Sequence, residues 1–67
     1  MEIFAERLIE LRTEKGLSQS ELAKQTGLSR IAILHWEHGD RVPLATAIII
    51  LAKFFGVSAD YLLGLED

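Results

Sequence analysis

The sequence predicts an all-α fold of five short helices, and three observations carry the prediction. A glycine-hydrophobe-serine joint occurs three times, as Gly16-Leu17-Ser18, Gly27-Leu28-Ser29 and Gly56-Val57-Ser58. Between the joints, apolar residues recur at helical spacing, and no alternating strand pattern appears. In each joint the glycine can take the left-handed conformation that ends a helix, and the serine can accept from the first free amides of the next. The hydrophobe between them precedes the N-cap, and its expected partner four residues beyond that cap is apolar each time: Leu22, Ile33 and Leu62.

These signals place helix 1 at about Glu2 to Lys15, with Phe4, Leu8 and Leu11 on one stripe and Glu2, Glu6, Arg7, Glu10 and Glu14 on other faces. Ile9 falls outside the stripe. Helix 2 runs Gln19 to Thr26 and opens with a capping box, Ser18-Gln19-Ser20-Glu21. Helix 3 runs Arg30 to His38 and is closed by Gly39; a loop follows from Asp40 to Pro43. Pro43 suits the entry of helix 4, about Leu44 to Phe55, and helix 5 spans Ala59 to Leu63 before Gly64. Helices 2 and 3 are too short to stand alone and are joined by three residues, so they must cross over helices 1 and 4 as a helix-turn-helix.

With 67 residues there is room for one domain, spanning the whole chain and close to the lower size limit for folding without disulfides, metal or a partner. The absence of cysteine excludes a disulfide framework and a thiolate zinc site, so the cytoplasm is the expected compartment. No run approaches the roughly 18 apolar residues of a membrane span, and MEIFAERLIE carries acids where an export signal carries bases. A net charge of -3 with 49% hydrophobic residues leans away from nucleic acid, although a local basic patch can bind DNA from an acidic chain. No nucleophile has a nearby general base and no loop is built to cradle phosphate, so no enzyme activity, cofactor or small-molecule substrate is expected. The apolar helix has no basic face for a membrane surface.

The segments RLIELRTEKGLSQSELAKQTGLSR, WEHGDRVP and LAKFFGVSADYLLG resemble the compact five-helix, lambda-repressor-like DNA-binding domains of phage repressors and Cro-like regulators, the XRE family. The resemblance covers nearly the whole chain. It implies a partly buried ion pair between Arg12 and Glu37, and core positions for Ile33 and Trp36. It implies DNA contacts from Gln19, from Ser29 and Arg30 at the first reading positions, from His35 and, toward the backbone, from Arg41. Arg30 could fork onto a guanine.

Two stretches depart from the family. With Ile33 inward, helical spacing puts Ile31, Leu34, His35 and His38 on the outer face of helix 3, where the family usually has polar residues. Asp40 stands where the loop often has a lysine. In helix 4 the family pattern buries Ala45, Ile48, Leu51, Ala52 and Phe55, yet Leu44, Ala47, Ile50 and Phe54 fill the positions between, leaving only Thr46 and Lys53 polar. A helix apolar almost all round expects cover on every side.

Two functions follow. In the first, helices 3 and 4 form a merged apolar patch that packs on a second copy about a two-fold axis. Leu34, Leu44 and Ile50 would be its anchors, ringed by Ile31, Ala47, Phe54, His35 and His38, and the excess of surface hydrophobes has the look of a redesigned scaffold. In the second, a dimeric transcription regulator reads a palindromic operator through Gln19, Ser29, Arg30 and His35, with Arg41 on the backbone. Metal binding by His35 and His38 at i, i+3 has little support without cysteine, and none is expected.

Overall fold

A computed structural model describes residues 1–66. Its five helices are α1 (Glu2–Glu14), α2 (Gln19–Thr26), α3 (Arg30–His38), α4 (Ala45–Phe55) and α5 (Ala59–Leu63), and no strand is present among the described residues. The joints work as read. Ser18, Ser29 and Ser58 each accept from a backbone amide three residues on, from Glu21, Ala32 and Tyr61. Ser18 and Glu21 complete the capping box reciprocally, which holds the Glu21 carboxyl below its ordinary range, chiefly through the Ser18 amide and secondarily through its hydroxyl.

Every helix contributes a fully buried side chain to one core: Phe4 and Leu8 from α1, Leu22 from α2, Ile33 from α3, Leu51 from α4 and Leu62 from α5. The three residues expected to pair with the joint hydrophobes are all in this set, and Leu17, Leu28 and Val57 pack against it. Trp36 lies edge-on to Phe4 at 6.1 Å between ring centroids, so α3 is pinned to α1 by aromatic contact. At the other end, the Arg7 guanidinium lies 4.2 Å from the Tyr61 ring centroid and donates to the Tyr61 and Glu66 carbonyls, tying α5 to α1.

Helix α4 differs from the expected register. It starts at Ala45, with Leu44 as an N-cap that offers no side-chain hydrogen bond. Ala47 is buried and Ala45 exposed, the reverse of the assignment from the family pattern. Leu51 stands one turn beyond Ala47 and Ala52 one turn beyond Ile48, and these two rows form the inward stripe. Phe54 is also half-buried, packed on the core and edge-on to Phe55 at 5.0 Å. Ala47 and Phe54 are therefore packing residues, not parts of a bare surface.

Candidate nucleic-acid interface

One carboxylate organises the junction of α1, α2 and α3. Glu37 accepts from Arg12 Nε at 2.7 Å, from Arg12 Nη2 at 2.9 Å and from Gln19 Nε2 at 2.9 Å, while Arg12 Nη1 donates to the Leu17 carbonyl at 2.8 Å. The side chains of Arg12 and Glu37 are 15% and 4% exposed, so the pair is mostly buried, where the resemblance implied a partly buried one. Hydrogen bonding to Glu37 raises the Arg12 guanidinium above its ordinary value, against the opposing effect of burial and with added Coulombic attraction. The network fixes the angle at which α2 and α3 leave α1.

Sequence reasoning missed the Gln19 bond. Its side-chain amide donates to Glu37, so at least one of its donors is engaged within the chain. Ser29 likewise has a structural task, capping α3 through Ala32 at 3.2 Å. Arg30, at the first turn of α3, is exposed and has no side-chain partner among the described residues. Ile31 beside it is exposed and His38 lies at the far end, whereas Leu34 and His35 are half-buried. Leu34 is thus not the bare anchor expected.

His35 Nδ1 lies 3.0 Å from Asp40 Oδ1, a pairing that spacing alone did not reveal. The only available signal was an acid placed just after the glycine that ends the helix. Arg41 is exposed, as are Val42 at 69% and Leu44 at 75%. Sequence reading also missed Val42 in the loop and Ile49 on α4, which are exposed as Ile50 is. Among the described residues no group of three or more His, Cys, Asp or Glu could hold a metal, and no pocket opens on the surface.

Residues 18–42 hold three acids and three lysines or arginines, so the motif is neutral within a chain of net charge -3. Their acids are all engaged within the chain: Glu21 with Ser18, Glu37 with Arg12 and Gln19, Asp40 with His35. Their bases, Lys24, Arg30 and Arg41, have no side-chain partner among the described residues and are exposed. The surplus negative charge lies on other parts of the chain, including Glu2, Glu6, Glu10 and Glu14 along α1. A helix pair with an exposed second helix, free cations and engaged acids has the attributes needed for a duplex groove.

A helix-turn-helix family model matches residues 8–62. The chain belongs to the helix-turn-helix family of phage-repressor and Cro-like, or XRE, regulators. This XRE domain is similar to the HTH-type transcriptional activator BcrR of Enterococcus faecalis, 44% identical over 64 residues covering 96% of this chain and 31% of that protein. Among solved structures it resembles the restriction-modification controller protein C.AhdI from Aeromonas hydrophila, with a TM-score of 0.80 and 40% identity over 90% of this chain and 91% of that one. It also resembles the hypothetical transcription factor NHTF from Neisseria, with a TM-score of 0.83 and 34% identity over 91% of this chain and 68% of that one. The XRE domain spans under two thirds of the length of the curated relatives it matches, 31% of BcrR and 58% of a Bacillus subtilis regulator. No helix is long and apolar enough to cross a membrane among the described residues.

Proposed function

We propose that this XRE domain is the sequence-specific, DNA-binding part of a cytoplasmic transcription regulator. The observation that carries the reading is the set of exposed cations in the motif, Lys24, Arg30 and Arg41, which are free to meet phosphate or base while the mostly buried side chain of Glu37 is paired with Arg12. Helix α3 lies in the major groove with its N-terminal end toward the bases. Arg30 supplies a guanidinium fork for guanine, Ile31 an apolar contact for a thymine methyl, and His35 a polar contact one turn on. Ile31 thereby becomes part of the reading face, not a fault in it. Selection from random duplexes should return a site bound with strong salt dependence; Arg30→Ala should relax its base preference.

Self-association is a second element of the proposal, and a specific observation favours it. Val42, Leu44, Ile49 and Ile50 are all exposed, so the loop and α4 leave four large apolar side chains in water. A second copy seated there about a two-fold axis would bury them and leave α3 free for DNA. This moves the expected interface off Ile31, Leu34, His35 and His38 and onto α4. Analytical ultracentrifugation should give a dimer at micromolar concentration, and a monomer for the Leu44→Glu, Ile50→Glu pair. A monomeric parent would remove this element while leaving DNA binding to be judged by selection.

A further inference from the structure

His35 and Asp40 are joined twice. At the end of α3, Gly39 adopts φ 78° and ψ 10°, and this left-handed turn carries the chain back so that the Asp40 amide donates to the His35 carbonyl at 3.2 Å. The same turn brings the Asp40 carboxylate to the His35 ring, Oδ1 to Nδ1, at 3.0 Å. The two side chains are 37% and 56% exposed, so the pair sits at the surface.

An acid is poorly placed here for any simpler purpose. It lies at the carbonyl end of α3, where the helix dipole favours cations, and it would repel the phosphates of a duplex resting on α3. Among the described residues its one hydrogen-bonding side-chain contact is with His35. That contact has a chemical consequence. An ionised carboxylate can only accept a hydrogen bond, so Nδ1 must carry the proton, and in the neutral ring Nε2 is left as a bare acceptor. The His35 ring makes its one hydrogen bond among the described residues through Nδ1, which leaves Nε2 without a partner there.

We propose that Asp40 is a positioning residue for base recognition: it fixes the tautomer of His35 so that Nε2 selects a base bearing an exocyclic amine in the major groove, adenine or cytosine. The proposal rests on the reading that α3 enters that groove. Adenine offers the N6 amine there and cytosine the N4 amine, whereas guanine and thymine present O6 and O4 acceptors to the same approach. Acceptor opposite acceptor is repulsive, so guanine and thymine are refused. Without Asp40 the ring is free to carry its proton on Nε2, which then donates and admits guanine or thymine.

Two measurements test this, both at pH 8.5, well above the roughly 6.5 of a free imidazole. Nitrogen NMR of histidine-labelled protein, without DNA, should show the His35 ring protonated on Nδ1 in the parent and predominantly on Nε2 in Asp40→Ala. Selection from random duplexes should return one position per half-site restricted to adenine or cytosine by on the order of tenfold. His35→Ala should abolish the preference at that position alone, and Asp40→Ala should bring guanine and thymine there to near parity while leaving the other positions unchanged. Both substitutions are at exposed or half-exposed sites, and thermal melts matching the parent confirm the fold. A parent ring protonated on Nε2, or an unchanged base preference in Asp40→Ala, overturns the proposal while leaving DNA binding intact. Failure of the parent to select any site, with the Nδ1 tautomer present, rejects the DNA reading and the proposal together.

Discussion

The outward faces of α3 and α4 are both rich in apolar residues, yet they are different surfaces. On α3 the exposed Ile31 stands beside Arg30, and the half-buried Leu34 and His35 lead to His38, so the hydrophobe is set among polar groups. Around α4, Leu44, Ile49 and Ile50 are exposed with Val42 in the preceding loop, and Thr46 and Lys53 alone are polar within the helix. A single aliphatic among donors and acceptors suits a base edge, which carries a methyl group beside polar atoms. A run of aliphatics suits another protein surface. Exposure counted residue by residue does not separate these cases; the neighbours do.

An inner frame holds both faces in place, and breaking that frame has the largest expected effect. Arg12→Ala or Glu37→Ala strands a charge in a mostly buried site and should cost about 3–5 kcal/mol, a large part of the stability of a domain this small. Urea denaturation measures it. Arg12→Met combined with Glu37→Leu should cost clearly less than the sum of the single changes, because no charge is left alone.

The next effect separates the two faces. Leu44→Glu with Ile50→Glu should make the protein monomeric and weaken binding to a two-half-site operator by about a hundredfold, since the second half-site is no longer held by the first. Affinity for an isolated half-site should hardly change. On the other face, Arg30→Ala should cost about 1–3 kcal/mol of operator binding and relax the preference at one position, with the sedimentation behaviour unaltered. Exchange of these outcomes, with Arg30→Ala dissociating the dimer or the α4 pair altering base preference, would erase the distinction between the faces.

The smallest effect is local to the start of α2. The Glu21 carboxyl is held below its ordinary range in the folded state, so its contribution is fully present above the unfolded carboxylate value and is lost as pH falls through the folded one. Glu21→Gln should therefore lose less stability than the parent between about pH 6 and about pH 3, read from urea midpoints across that range.

The frame was legible in the sequence because its signals are local. Gly27 to Ser29 with Ile33, and the matching sets at Leu22 and Leu62, each specify a helix end and a core contact within a few residues. The ends of α2, α3 and α5 follow directly. Helix α4 resisted the same treatment because LATAIIILAKFF is apolar in every register, so periodicity cannot say that Ala47, not Ala45, turns inward. For the residues that the resemblance makes DNA contacts, positions were legible but internal partners were not. The bonds from Gln19 to Glu37 and from His35 to Asp40 depend on how two turns bring side chains together, and no periodicity encodes that.

The proposed function requires an acidic chain to meet DNA through the free cations of its helix-turn-helix. The direct measurement is the affinity of the parent for its selected duplex as salt is varied. On the DNA-binding reading log K falls against log salt with a slope of about −5, roughly −0.9 for each of Lys24, Arg30 and Arg41 from both subunits of a dimer. A slope near zero, or the recovery of no duplex at all, would contradict it.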